Sequence, residues 1–142
     1  MPIKTLLDHR NTVLNDEWDG LIGASNAALF SGHFKRAIIF SIKALAVAES
    51  NFAILPVSKS TVTAVLVSYN NVADLYVKTG QLCNARRYLK SAVACFEQFS
   101  LEQFSIERRN TRELKAEQRE AVSWGKTKAT EQLWLFQKQH CH

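Results

Sequence analysis

Apolar residues recur along this chain at the three- and four-residue steps that place side chains on one face of an α-helix. The clearest run is Val62, Val65, Leu66, Tyr69, Val72, Ala73 and Tyr76, which advances by three, one, three, three, one and three. The stretch Thr61 to Val67 is rich in β-branched residues and resembles a strand in isolation, but the register continues to Tyr76 and predicts a helix. Pro56 precedes it, Ser58 or Ser60 can cap its start, and Gly80 supplies the left-handed stop of a tight turn. Asn84 is a candidate cap for a partner helix whose apolar face carries Ala85, Tyr88, Leu89, Ala92, Val93 and Phe96.

Upstream, Leu6, Leu7, Val13, Leu14, Trp18, Leu21 and Ala28 predict a short leading helix near residues 3 to 14 and a second from about 16 to 31. Asn15 or Asp16 is the expected cap between them, ahead of Glu17. Gly20 and Gly23 each weaken that second helix by about 1 kcal/mol relative to alanine unless their spacing permits close helix contact. From Phe34 to Asn51 the set Phe34, Ala37, Ile38, Ile42, Leu45, Ala46 and Ala48 forms a broad apolar stripe, with Lys35, Arg36, Lys43 and Glu49 largely off it. Beyond Phe99 the texture changes. Residues 107 to 120 are dense in charge with Leu114 as the one large apolar residue, and a solvated helix face is the simplest account. An apolar set returns in Ala121, Val122, Trp124, Ala129, Leu133, Trp134, Leu135 and Phe136. There Gly125 is a candidate break, Leu133 and Phe136 point inward, and Trp134 and Leu135 lie off that line.

Large and small residues alternate in a particular order at Tyr69, Val72, Ala73, Tyr76, Gly80, Ala85, Leu89 and Ala92. This order resembles a tetratricopeptide repeat, a helical hairpin of the kind that builds binding grooves. A fainter copy occupies Leu21, Ala24, Ser25, Ala28, Gly32, Phe34, Ala37 and Ala44, departing from the family at the aromatic places filled by Ala28 and Ser41. The turn glycines Gly32 and Gly80 are 48 residues apart, against a plain period of about 34. The excess predicts longer helices and an extended linker around Asn51 to Thr63, as in the lengthened repeats of kinesin light chains.

The expected architecture is therefore all-α: about two tetratricopeptide-like antiparallel hairpins with flanking N-terminal and C-terminal capping helices in a single domain, 1–142. Repeat 1 covers about 18–52, repeat 2 about 58–99, and a basic capping segment about 103–139. Two repeats fall below the roughly three that a stable array needs, so flanking helices or a second copy must complete the core, and a homodimer is expected.

Composition agrees with one globular domain. The chain has 142 residues, 46% hydrophobic and 22% charged, which argues against wholesale disorder. Five glycines and two prolines are few enough to favour long helices over a turn-rich β fold. No apolar run long enough for a signal sequence or a membrane span is evident, and Cys83, Cys95 and Cys141 lack metal or redox spacing. A cytoplasmic protein with reduced thiols, and no membrane partner, is the expectation. Cys83 and Cys95 read as small apolar fillers.

Catalytic patterns do not emerge. The histidines His9, His33, His140 and His142 are scattered, no phosphate loop or nucleophile elbow is present, and Gly-Leu-Ile-Gly at 20 to 23 follows no strand. The terminal His140-Cys141-His142 offers ligand atoms, but adjacent residues rarely close a tetrahedral metal site, and a frayed tail is the better reading. The chain reads as a non-enzyme with no cofactor and no metal.

Partner recognition is the more informative reading. In tetratricopeptide families the first helix of each hairpin lines the groove, and asparagines there bond to the backbone of an extended peptide. The resemblance places Asn26, Asn70 and Asn71 at such positions, with Asp74 and Lys78 one and two turns along. An amide suits that task because it offers donor and acceptor without burying a charge; the alternative is that these amides are solvated or cap neighbouring turns. Families that clamp a carboxyl terminus carry a lysine where this chain has Ile22, and Arg109 and Arg112 could replace part of that role. The leading expectation is an adaptor or regulator that binds a protein or peptide partner.

Two other readings stay open. A small secretion-type chaperone fits the size but not the net charge of +5. A nucleic-acid-associated regulator would use the basic C-terminal helix, where Arg86, Arg87, Lys90, Arg108, Arg109, Arg112, Lys115 and Arg119 could contact phosphates. From Arg86 onward the chain holds 11 Lys or Arg against 7 Asp or Glu, so an acidic partner would meet that end, although the interspersed glutamates weaken a nucleic-acid role.

Overall fold

The computed structural model describes the backbone of residues 2–54, 57–110 and 116–140, and the side chains of 15–54, 57–100 and 116–140. Among the described residues five helices follow one another: α1 Pro2–Phe30, α2 Phe34–Ile54, α3 Lys59–Lys78, α4 Leu82–Asn110 and α5 Ala116–His140. There is no strand among the described residues. The fold is all-α and built of helical hairpins, and the segment from Ser60 to Tyr76 is helical throughout.

The two hairpin turns are closed by the same bonds. After α1 the Gly32 N–H donates to the Leu29 carbonyl at 3.0 Å and the His33 N–H to the Ala28 carbonyl at 2.8 Å. After α3 the Gly80 N–H donates to the Val77 carbonyl at 3.0 Å and the Gln81 N–H to the Tyr76 carbonyl at 2.8 Å. This pairing is the Schellman motif, which satisfies helix-end carbonyls provided one residue is left-handed. Gly32 (φ 79°) and Gly80 (φ 74°) fill that place, where a Cβ would be strained. The next helix starts the same way in both hairpins, with the Ala37 N–H donating to His33 and the Ala85 N–H to Gln81. The two turns are thus copies of one local structure.

Ser58 caps α3: its side chain accepts from the Thr61 N–H at 3.2 Å while the Thr61 hydroxyl oxygen accepts from the Ser58 N–H at 3.0 Å. Such a reciprocal box satisfies two backbone donors that the helix itself cannot. Only residues 55–58 lie between α2 and α3. The expected extended linker around Asn51 to Thr63 is therefore corrected, because the extra length of the first repeat is taken up as helix.

Other expectations are revised as well. The separate helices near 3 to 14 and 16 to 31 are one helix, α1, since neither glycine nor proline interrupts the backbone at Asn15-Asp16. Asn84 lies inside α4, where its amide donates to the Gln81 side chain at 3.1 Å, and it does not cap the helix. Gly20 and Gly23 have no neighbouring atom within reach of an added Cβ, so they do not mediate close helix contact.

Gly125 does. It is buried in an unbroken α5, and a Cβ there would stand 2.5 Å from Val62 Cγ1 and 3.0 Å from Phe96 Cζ. With Ala121, Val122 and Ala129 it forms a stripe of small side chains that lets α5 approach α3 and α4 closely. Phe136 is buried as expected, Leu133 packs beside it, and Trp134 and Leu135 are exposed.

The main core joins α2, α3, α4 and α5 around Phe52, Val62, Val65, Leu66, Tyr69, Val72 and Phe96. Phe52 meets Phe96 edge-on at 5.8 Å, an arrangement that aromatic quadrupoles favour. A second cluster, Ala28, Ala37, Ile38 and Leu75, fastens the first hairpin to α3. A third, Ala73, Ala85, Leu89 and Phe136, fastens α5 to the second hairpin. Helix α5 is thus integral to the core.

Among the described residues one helix, α2, is long and apolar enough to cross a membrane by length and composition, with a mean hydropathy of 1.6. This corrects the expectation that no segment reaches that threshold. In the fold α2 is a packed helix, with Ala37, Ile38, Ala44, Leu45, Ala48 and Phe52 buried against its neighbours.

Candidate functional site

Helix α3 carries four of the predicted recognition residues, because its apolar face is committed to the core and leaves Asn70, Asn71, Asp74 and Lys78 on its remaining surface. Two seams border that surface. Between α1 and α3 a small groove of about 80 Å³ is lined by Asn26, Leu29, Asn71, Asp74 and Lys78, together with Ser25 and Leu75. Between α3 and α5 a groove of about 200 Å³ is lined by Asn70, Asp74 and Val77 on one side and by Gln132, Leu135, Gln139 and His140 on the other. Asp74 belongs to both.

The structure therefore brings Asn26, Asn71, Asp74 and Lys78 together, from two helices that are distant in sequence. Asn70 sits around the helix from Asn71 and faces the second seam. The asparagines on α3 are half-buried, and Asn26, Asp74 and Lys78 are exposed. Asn70 Oδ1 is shielded from solvent and accepts no hydrogen bond. Partial desolvation of its carboxyl in the seam raises Asp74 above its ordinary value, although the residue as a whole is exposed, and the neighbouring Lys78 charge opposes the shift. Ser25 in the first seam is already engaged, donating its hydroxyl to the Ala37 carbonyl at 2.8 Å.

Arg109 and Arg112 fall outside the residues whose side chains are described, as do Arg108 and Lys115. Arg86, Arg87, Lys90 and Arg119 are exposed on α4 and α5.

Sequence reasoning missed the contribution of α5 to the second seam. The signal was present in Gln132, Leu135 and Gln139, spaced by three and four on one helix face, but nothing local said which neighbour that face would meet. A third concavity, of about 540 Å³, lies near the start of α3 between Asn15, Trp18 and Asp19 of α1 and Lys59, Ser60 and Thr63 of α3. The Lys59 ammonium lies 5.1 Å from the centre of the Trp124 ring, a cation–π contact that ties α3 to α5.

The thiols differ from expectation in one respect. Cys83 is exposed and fills no gap in the core. Cys95 is half-buried, and burial together with the Glu49 charge pushes its thiol up to about 11. His140 ends α5 in helical conformation with its ring 4.8 Å from that of Phe136, which corrects the frayed-tail reading at that residue; Cys141 and His142 lie outside the described residues. Among the described residues no three His, Cys, Asp or Glu side chains gather in a way that could hold a metal ion.

Residues 16–142 match the family described as "Protein of unknown function (DUF2753)". The chain belongs to this family. No curated protein and no solved structure matches it. The match begins within α1 and takes in both hairpins and α5, so every residue of the two seams lies inside the family region.

Proposed function

We propose that this DUF2753 member is a non-enzymatic interaction module, an adaptor or regulator, that holds an extended segment of a partner protein along α3, as tetratricopeptide repeats do. The observation that carries this reading is the convergence of Asn26, Asn71, Asp74 and Lys78 in one seam. Two amides there offer paired donors and acceptors to a peptide backbone, and the acid and the amine can select polar side chains or an end of the segment.

The repeated Schellman turns support the tetratricopeptide comparison independently of side-chain identity, since they set two hairpins at equivalent places in the chain. On this reading α5, which packs against both α3 and α4, would serve as the first helix of a third repeat. Trp134 and Leu135 on its exposed side support self-association as a homodimer, which light scattering over a range of concentrations tests.

The proposal is tested by affinity capture from the native host with the wild-type chain and with an Asn71→Ala/Lys78→Ala variant whose helicity is checked by circular dichroism. Proteins retained by the wild type and lost by the variant support it. Equal retention by both would refute this site.

A further inference from the structure

A separate cleft of about 440 Å³ opens between α2 and α4, above Tyr69 of α3. Its chemistry differs from that of the seams. Glu49 supplies the one formal charge among its described lining residues, and no Lys, Arg or His of the described residues pairs with that carboxylate. Glu49 is held in place from below: the Tyr69 hydroxyl, in a residue only 6% exposed, donates to Glu49 Oε1 at 2.9 Å. One wall is aromatic, with the Phe52 and Phe99 rings 4.7 Å apart and tilted by 50°. The Cys95 thiol beside them is uncharged at neutral pH, so it adds no second anion.

A positioned carboxylate next to aromatic faces is the arrangement that selects an organic cation, since the carboxylate supplies the counter-charge and ring faces attract positive charge. A planar guanidinium suits it better than an ammonium, because it can pair with the carboxylate edge-on, stack flat on a ring, and shed its hydration more easily. We propose that this cleft receives an arginine side chain of a polypeptide partner, with Glu49 as counter-ion and the part-exposed ring of Phe99, backed by the buried Phe52, as the stacking wall. The cleft is lined by α2 and α4, away from the polar seams, and the proposal does not depend on them.

The test is a two-dimensional amide NMR titration of the full chain with the peptide acetyl-Gly-Arg-Gly-amide and with its neutral citrulline counterpart. The arginine peptide should shift the amides of Glu49, Ser91, Cys95 and Gln98 with a dissociation constant on the order of millimolar. The citrulline peptide should bind at least about tenfold more weakly. Glu49→Gln keeps an acceptor for the Tyr69 hydroxyl and should lose affinity by a similar factor. Ala94→Phe should abolish the shifts by filling the cleft, and it serves as the deciding variant if Glu49→Gln does not fold. No shift in the cleft, equal binding of the citrulline peptide, shifts confined to the α1–α3 seam, or wild-type affinity in the folded variants would each overturn the proposal.

Discussion

The indole N–H of Trp18 donates to the hydroxyl of Ser68 at 2.7 Å, across fifty residues of sequence and from α1 to α3. Ser68 in turn donates to the Ala64 carbonyl at 2.7 Å, so the hydroxyl has one role in each direction. The bond helps to fix the spacing of the two helices that bound the first seam.

Trp18→Phe keeps much of the ring surface and deletes the donor. It should lower stability by about 1 kcal/mol, the usual net worth of a partly buried hydrogen bond. Ser68→Ala leaves the indole N–H unpaired and should cost at least as much. In urea denaturation the double variant should lose less than the sum of the two, because both substitutions remove the same bond.

Gly125→Ala tests whether α5 is seated as closely as described. The added methyl meets Val62 Cγ1, whose branched side chain has little freedom to move, and the edge of the Phe96 ring. Destabilisation of about 1–3 kcal/mol is expected from this overpacking. Gly20→Ala, on α1 with open space around it, should instead stabilise by a few tenths of a kcal/mol up to about 1 kcal/mol. Thermal melts of the two variants should therefore move in opposite directions.

The thiols give a pH-dependent prediction. Cys95 has a folded-state pKa raised from 9.0 to about 11, chiefly by burial and secondly by Glu49. Tyr69 is raised in the same direction by burial and by its bond to Glu49. In both cases the folded chain holds its proton more tightly than the unfolded chain does. Their contribution to stability is therefore fully present below about pH 9 and is lost as the pH rises toward 11 and beyond. Iodoacetamide followed by peptide mapping should modify exposed Cys83 readily at pH 8 and Cys95 far more slowly, with Cys95 gaining only at strongly alkaline pH.

Local rules made much of the fold legible in advance. The register from Val62 to Tyr76 gave α3, and Gly80 gave the turn, because periodicity and a left-handed residue act within a few positions of themselves. The junction at Asn15-Asp16 misled, since residues suited to a cap are also tolerated inside a helix when packing holds the flanks. Gly125 looked like a break and is a contact, a distinction that depends on Val62 and Phe96 and so on tertiary structure alone. The hairpin reading put Asn26 and Asn71 on the first helix of their repeats, but that they share one seam comes from the packing of α1 beside α3. The contribution of α5 to the other seam was not legible either, because a helix face does not declare its neighbour. The Glu49–Tyr69 bond was hidden for the same reason: one residue is a charge off an apolar stripe and the other a core aromatic, and only the packing of α2 on α3 joins them.

Hydrogen exchange with a peptide selected against the chain from a random library tests the central claim most directly. Bound peptide is predicted to slow exchange in the α3 segment around Asn70 to Lys78 and in α1 around Asn26, and to bind the Asn71→Ala/Lys78→Ala variant at least about tenfold more weakly. A selected peptide that left α3 unprotected and bound the variant as well as the wild type would contradict it.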